Sequence, residues 1–269
     1  VKHRVIALLT DFGEDDFFVP SLKGVILKIN PLARILDITH HIPSFDIKTG
    51  GFILYSCFSY FPTKTIFLII VDPGVGSSRK ILLVETKKYF FIAPDNGILS
   101  HILEEEDITQ IREVTKKKYF LPDLSSTFEG RDKMAPAAAW LSKSIPCVEF
   151  GPEATSYESY DVQKPQAKGN EITGQVLYTD KFGNLITNIP ERMLNLSGER
   201  RIKKKFSLYA GGREISSFRK SYSSAKKGEL LFLVGSLGLI EIASRASAAS
   251  KQLKIKNGDI VRIVIKSEK

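Results

Sequence analysis

Short, unbroken apolar runs recur through the first part of this chain, and they constrain its fold more than any other feature. They are Val5–Thr10 (VIALLT), Arg34–His40 (RILDITH), Thr65–Val71 (TIFLIIV), Lys80–Thr86 (KILLVET) and Tyr89–Asp95 (YFFIAPD). Runs this short suit strands better than helices, and their continuity suits strands covered on both faces. Stretches of helical spacing lie between them. Phe17 to Ile29 carries Val19, Leu22, Val25, Ile26 and Ile29 near one face and stops at Asn30-Pro31. Asp46 to Tyr60 reads as a second helix in which Gly50-Gly51 allows close packing, and Gly97 to Glu105 as a short third. Gly130 to Ser144 reads as a further helix with Pro136 in its first turns. The two apolar runs from Lys80 and Tyr89 read as a hairpin or adjacent strands. The alternation predicts an α/β domain with a mostly parallel sheet.

After Gly151 the texture changes. Residues 151–171 are polar, contain Pro152, Pro165 and Gly169, and show no apolar periodicity. Beyond them come short strands separated by turn residues: 171–180, 184–189, 201–218, 228–236, 239–244 and 259–267. The expected organisation is an N-terminal α/β domain over residues 1–160, a linker over 161–170 and an all-β domain over 171–269, a sandwich or small barrel.

Composition narrows the function classes. Of 269 residues, 43% are hydrophobic and 26% charged, which argues against disorder. No apolar run approaches the length of a membrane span. The N-terminal VKHRVIALLTDFG meets Asp11 where a signal peptide would have small residues, so it reads as a first strand. Cys57 and Cys147 lack metal-ligand spacing and read as buried thiols of a cytoplasmic protein. The net charge of +9 is spread over Lys116–Lys118, Arg200–Lys205 and Lys226-Lys227. No nucleic-acid-binding motif accompanies these runs, so they read as solvated faces, with RNA association as a rival. His40 and His41 are adjacent and would face opposite sides of a strand, so no metal site is expected.

The chemistry-bearing residues stand at the ends of the strands. In an open α/β sheet, ligands gather beyond the carboxyl ends. Asp11 follows the first strand and could accept hydrogen bonds from two hydroxyls, or simply cap a turn. In VDPGVGSSR, Asp72 follows the third strand and Pro73-Gly74 forces a turn before Arg79. Asp72 and Arg79 are either a structural ion pair or a pair that fixes a water. APDNG (Ala93–Gly97) reads as a turn with a helix cap. Glu129, Arg131 and Asp132 crowd charge around Gly130 at a helix start. Asp180 and Asn184 flank a hairpin turn and could reach a ligand, but turn chemistry alone explains them. Small residues in VGSLGLIEIASRASAA (Val234–Ala249) would let backbone approach a flat ring. No GxGxxG or GxxxxGK[ST] phosphate loop is present.

Taken in order, LLTDFG, DFF, SLKGVI, VDPGVGSSR, APDNGIL, TFEGRDKMAPAAA, DKFGNLITNI and GSLGLIEIA resemble a known family over almost the whole chain. It is the S-adenosyl-L-methionine (SAM) hydroxide adenosyltransferases, the adenosine-forming SAM hydrolases related to fluorinase and chlorinase. The resemblance implies an N-terminal α/β domain, a C-terminal β domain and a homotrimer. It places the active site between one subunit's N-terminal domain and its neighbour's C-terminal domain. The implied reaction converts SAM and water to adenosine and L-methionine, with SAM as substrate and no cofactor. By motif, Asp11 would hold the ribose hydroxyls, and Asp72 and Arg79 the attacking water. Asp180 would meet the methionine ammonium and Ser236 its carboxylate. Asn184 would line the nucleoside pocket, and main chain at Arg245-Ala246 would touch adenine.

Two departures accompany the likeness. Family hydrolases usually carry a histidine where this chain has Glu129, so Glu129 acts as a substitute base, pairs with Arg79, or weakens the activity. The halogenase relatives have an arginine at Ser244, and Arg245 stands next door. Those relatives also place an aromatic hydroxyl where Asp72 stands, and a carboxylate would repel a bound halide. Water is therefore the expected nucleophile. The rivals are a halide adenosyltransferase and a non-catalytic SAM- or adenosine-binding protein.

Overall fold

A computed structural model describes residues 4–194 and 205–266. Most of the basic run from Arg200 to Lys205 and the start of the strand expected from Arg201 lie outside the described residues. The chain divides into two compact units, residues 1–162 and 163–269.

The first unit begins with β1 (Val5–Thr10), α1 (Phe18–Ile29), β2 (Arg34–Thr39) and α2 (Ile47–Cys57). Strands β3 (Ile66–Ile70), β4 (Ile81–Thr86) and β5 (Phe90–Pro94) follow, then α3 (Ser100–Glu105), β6 (Ile108–Glu113) and α4 (Ala135–Ser142). One six-stranded sheet runs in the order β2-β1-β3-β5-β4-β6. Strands β2, β1, β3 and β5 are mutually parallel, whereas β4 is antiparallel to both neighbours. Successive residues of β1 point to opposite faces, and both faces are buried. Ile6 and Leu8 join Leu22, Ile26, Met134 and Ala138 on one side, while Ala7 and Leu9 join Leu54, Phe58 and Phe91 on the other. The expectation of a mostly parallel sheet covered on both faces holds for this reason.

Local chemistry explains the helix boundaries. Asp46 caps α2 by accepting hydrogen bonds from Thr49 N at 3.0 Å and Thr49 Oγ1 at 2.7 Å. At the end of α1 the residue before Pro31, Asn30, turns to extended backbone. Gly51 packs so closely that an added Cβ would lie 2.7 Å from Ile98 O, which accounts for a glycine pair inside a helix. Several expectations need correction. The helix expected from Gly130 opens with a π-helical turn, Gly130–Met134, before α4 begins. Strand β6 was not anticipated. Residues 151–162 are packed against the first unit: Glu158 N donates to Asp95 Oδ1 at 2.7 Å and Tyr160 N to Ser100 Oγ at 3.0 Å. Asp95 is thus an anchor for this segment.

The second unit consists of β7 (Gln166–Lys168), β8 (Glu171–Thr179), β9 (Leu185–Pro190), β10 (Lys205–Ala210), β11 (Arg213–Ile215), β12 (Leu230–Val234), β13 (Leu239–Ser244), a short α5 (Ala249–Leu253) and β14 (Ile260–Lys266). Strand β7 falls where a linker was expected, and α5 was not foreseen. The sheet is antiparallel, in the order β11-β10-β14-β8-β9-β13-β12, with β7 beside β8. The long β8 pairs with β14 through Glu171–Gln175 and with β9 through Val176–Thr179. Beyond β11, Phe218 bridges to Phe232 of β12, which brings the two ends of the sheet together as a barrel. Its core holds Ile172, Val176, Leu208, Phe232, Ile242 and Ile263. Among the described residues, no helix is long and apolar enough to cross a membrane.

Candidate active site

The chain leaving β1 turns to β2 on one side, and the chain leaving β3 turns towards β4 and β5 on the other, so the connections diverge between β1 and β3. Such a switch point opens a crevice at the carboxyl ends of the strands. Thr10 is in register with Ile70, so Asp11 and Asp72 emerge side by side from β1 and β3. Both line a cleft of about 320 Å³ with Phe12, Phe18, Ser44, Phe45, Ile70, Val75, Thr127, Phe128 and Gly130.

Each carboxylate is held from behind. Asp11 Oδ2 accepts a hydrogen bond from Phe45 N at 2.9 Å. Burial pushes the Asp11 carboxyl above its ordinary value, the Phe45 amide opposes this, and the Asp72 charge adds to the rise. Thr10 Oγ1 lies 2.9 Å from His40 Nδ1, and Gly13 N donates to His40 O at 2.7 Å, so the loop bearing Asp11 is tied to the end of β2. Asn96 Nδ2 donates to Val71 O at 2.9 Å and braces the backbone just before Asp72. This is the role of the APDNG turn, with Gly97 at φ +89°.

Arg79 grips Asp72. Its Nε donates to both carboxylate oxygens at 2.9 Å, and its Nη2 donates to Oδ2 as well. The same Nη2 lies 2.5 Å from Glu129 Oε2, and the other oxygen of Glu129 accepts from Lys133 Nζ. The side chains of Asp72, Arg79 and Glu129 are only 6%, 9% and 9% exposed. Charges this buried are costly unless paired, and here they alternate in sign. Asp72 faces the cleft, whereas Arg79 and Glu129 stand behind it. The loop between Asp72 and Arg79 is seated by Gly76, at φ +79°, where an added Cβ would lie 2.5 Å from Ser126 O. Arg131 and Asp132 belong elsewhere: Arg131 Nε donates to Asp132 Oδ1 at 2.6 Å, and Asp132 Oδ2 accepts from Ser125 N at 2.7 Å.

Sequence reasoning missed the aromatic wall of this cleft. Phe12, Phe18 and Phe128 meet at centroid distances of 5.2 to 5.8 Å. Read along the chain, they are ordinary core candidates. The only signal was the position of Phe12 directly after Asp11.

In the second unit, Asp180, Asn184, Arg245 and Ala246 line a separate cleft of about 590 Å³ with Phe182, Tyr222 and Ser244. Asp180 Oδ1 accepts from Phe182 N and Asn184 N at 2.8 Å, and its Oδ2 accepts from Asn184 Nδ2 at 2.9 Å. The turn chemistry is real, and it fixes both side chains at the cleft wall. Arg245 Nη1 donates to Ala225 O at 2.6 Å, and Ala246 adopts φ +56°. Ser236 is exposed in the turn between β12 and β13 and is not on the cleft wall. Tyr222 and Glu241 were not anticipated. The Tyr222 hydroxyl donates to Glu241 Oε1 at 2.6 Å, and burial pushes the Glu241 carboxyl up.

This architecture defines an α/β protein with an acidic ligand cleft at a sheet switch point, continued by an antiparallel barrel with a cleft of its own. The SAM hydroxide adenosyltransferase N-terminal domain matches residues 6–151 and the corresponding C-terminal domain residues 174–262. The chain belongs to the SAM hydroxide adenosyltransferase family. It is 33% identical to an (R)-S-adenosyl-L-methionine hydrolase of Methanocaldococcus jannaschii, over 97% of this chain and 95% of the relative. A fluorinase of an Actinoplanes species is 27% identical over 72% of this chain and 74% of its own. The crystal structure of an uncharacterized conserved protein from Thermotoga maritima superposes with a TM-score of 0.90 at 38% identity, over 96% of this chain and 99% of that one.

Proposed function

We propose that this protein hydrolyses SAM to adenosine and L-methionine. The observation that carries the reading is Asp72 on the cleft wall with both carboxylate oxygens held by the Arg79 guanidinium. Such a carboxylate is fixed in place and can orient a water for attack. The water oxygen forms a bond to C5′ while the C5′–sulfur bond breaks. The bonding pair leaves with sulfur, the sulfonium becomes a neutral thioether, and the water proton passes to Asp72 and then to solvent. The leaving group needs no general acid, and the reaction needs no metal or redox cofactor.

In this reading Asp11 accepts hydrogen bonds from the ribose hydroxyls, and Phe12, Phe18 and Phe128 exclude bulk water from the reacting carbon. Asp180 meets the methionine ammonium, and Asn184 with the Arg245-Ala246 main chain the adenosine. Assembly as a homotrimer and a cytoplasmic location belong to the same proposal, supported by the family resemblance. The relatives named as hydrolases support water as the nucleophile, and a carboxylate at Asp72 disfavours a halide there.

Incubation with SAM, without added metal, should release adenosine and methionine in equal amounts. Bound SAM with no adenosine above background would point to a binding protein. A 5′-halo-5′-deoxyadenosine formed in halide buffer would point to the halogenase chemistry.

A further inference from the structure

The surroundings of the Glu129 carboxylate decide what it does. Thr127, Phe128 and Gly130 line the cleft, but the Glu129 carboxylate is directed away from it. One oxygen faces Arg79 Nη2 at 2.5 Å, and the other accepts from Lys133 Nζ one helical turn further on. Lys133 is itself placed: its side chain is three-quarters buried and its ammonium lies 5.9 Å from the centre of the Phe120 ring. Both oxygens of Glu129 are therefore engaged by cations.

We propose that Lys133 is a positioning residue for the hydrolytic pair. Its ammonium takes one oxygen of Glu129, turns the other toward Arg79, and so holds the guanidinium on Asp72. Glu129 is then a strut and not a base. The order Asp72, Arg79, Glu129, Lys133 alternates in sign, so each buried charge lies beside an opposite one. Without Lys133, Glu129 keeps a single partner and is free to rotate, and Arg79 loses a fixed acceptor on the side away from Asp72. Small misplacements of a positioned group cost up to about a hundredfold in rate. A group separated from the water by Glu129, Arg79 and Asp72 should cost less, about tenfold.

This inference rests on the hydrolase reading, and its test separates the two. Adenosine release by the wild-type protein is measured first, and its absence overturns the hydrolase reading. In Lys133→Met, kcat should fall about tenfold with KM within about twofold, and Lys133→Arg should recover most of the loss. In a Glu129→Gln background the Lys133→Met change should have little further effect, because the strut is already gone. A kcat within about twofold of wild type in Lys133→Met, or an undiminished loss in the Glu129→Gln background, overturns the proposal.

A second readout is independent of turnover. The Arg79 Nε–H resonance, assigned with Arg79→Lys, should be slow to exchange in the wild type and should shift and exchange faster in Lys133→Met. Should that variant not fold, Glu129→Gln/Lys133→Met leaves no unpaired charge between the two positions, and the same change in the Arg79 signal is expected. An unmoved Arg79 signal overturns the positioning role whether or not the protein hydrolyses SAM.

Discussion

Asp11 and Asp72 leave neighbouring parallel strands side by side, because Thr10 of β1 is in register with Ile70 of β3. Burial, with a smaller push from the Asp72 charge, holds the Asp11 carboxyl above its ordinary value of 3.8. In the window between the unfolded and folded values the folded state binds more protons, so this group's contribution to stability falls as pH rises. Asp11→Asn should therefore leave the protein at least as stable at neutral pH, with the advantage disappearing in acid. Binding should move the opposite way. The ribose hydroxyls require the carboxylate, so KM for SAM should rise as pH falls through the elevated Asp11 value, and Asp11→Asn should abolish that dependence. Thermal melts and KM measured from neutral pH down to about 4 check both halves.

Asp72→Asn keeps the shape of the side chain but removes the proton acceptor and half of the Arg79 pair. The kcat should fall by about 10² to 10⁴, while the dissociation constant for SAM measured by calorimetry should stay within a few-fold. Parallel loss of binding and turnover would make Asp72 a structural residue.

Placing a histidine by Glu129→His should not by itself raise the activity. It removes the acceptor shared by Arg79 and Lys133 and leaves two buried cations facing a neutral ring. We expect a fall in kcat of about tenfold, by the same misplacement argument. Combining it with Lys133→Met should recover part of the loss. Steady-state kinetics on the two variants decide the point, and a rise in kcat in the single variant would contradict the strut geometry.

Gly76→Ala should destabilise the first unit by about 1–3 kcal/mol. The position has φ +79°, and the new methyl would lie 2.5 Å from Ser126 O. The loop carrying Arg79 and the loop leading to Glu129 would be forced apart, so activity should fall at temperatures where the variant remains folded. Chemical denaturation and kcat on the same sample test the two effects.

Tyr222→Phe removes the donor to Glu241, whose carboxyl is already raised by burial. A buried acceptor left unpaired costs about 1–3 kcal/mol. The tyrosine hydrogen bond favours the ionised form, so its loss should raise the Glu241 carboxyl further. The destabilisation should then be full at neutral pH and shrink as Glu241 protonates in acid. Melting temperatures compared between neutral and acidic buffer check the sign, and a constant difference would count against it.

The fold class and the strand ends that carry function are legible in the order of residues alone. Buried parallel strands must be apolar on both faces, so β1, β3 and β5 announce themselves, and a carboxylate directly after such a strand has few places to go. Asp11 and Asp72 were legible for that reason, and the ordered motifs made the family legible. Turn residues were legible because their backbone demands are local, as at Asp180, Asn184 and Gly97.

The remaining features depend on contacts between distant positions. Nothing in the chain order says that Glu129, fifty residues after Arg79, turns its second oxygen to Lys133, or that Phe12, Phe18 and Phe128 form a cleft wall. The segment 151–162 shows no apolar periodicity because its backbone, not an apolar stripe, docks it on Asp95 and Ser100. Apolar periodicity reports burial of side chains along one element. It carries no record of which charged groups meet when separate elements pack, and at this site those meetings set the charge order from Asp72 to Lys133.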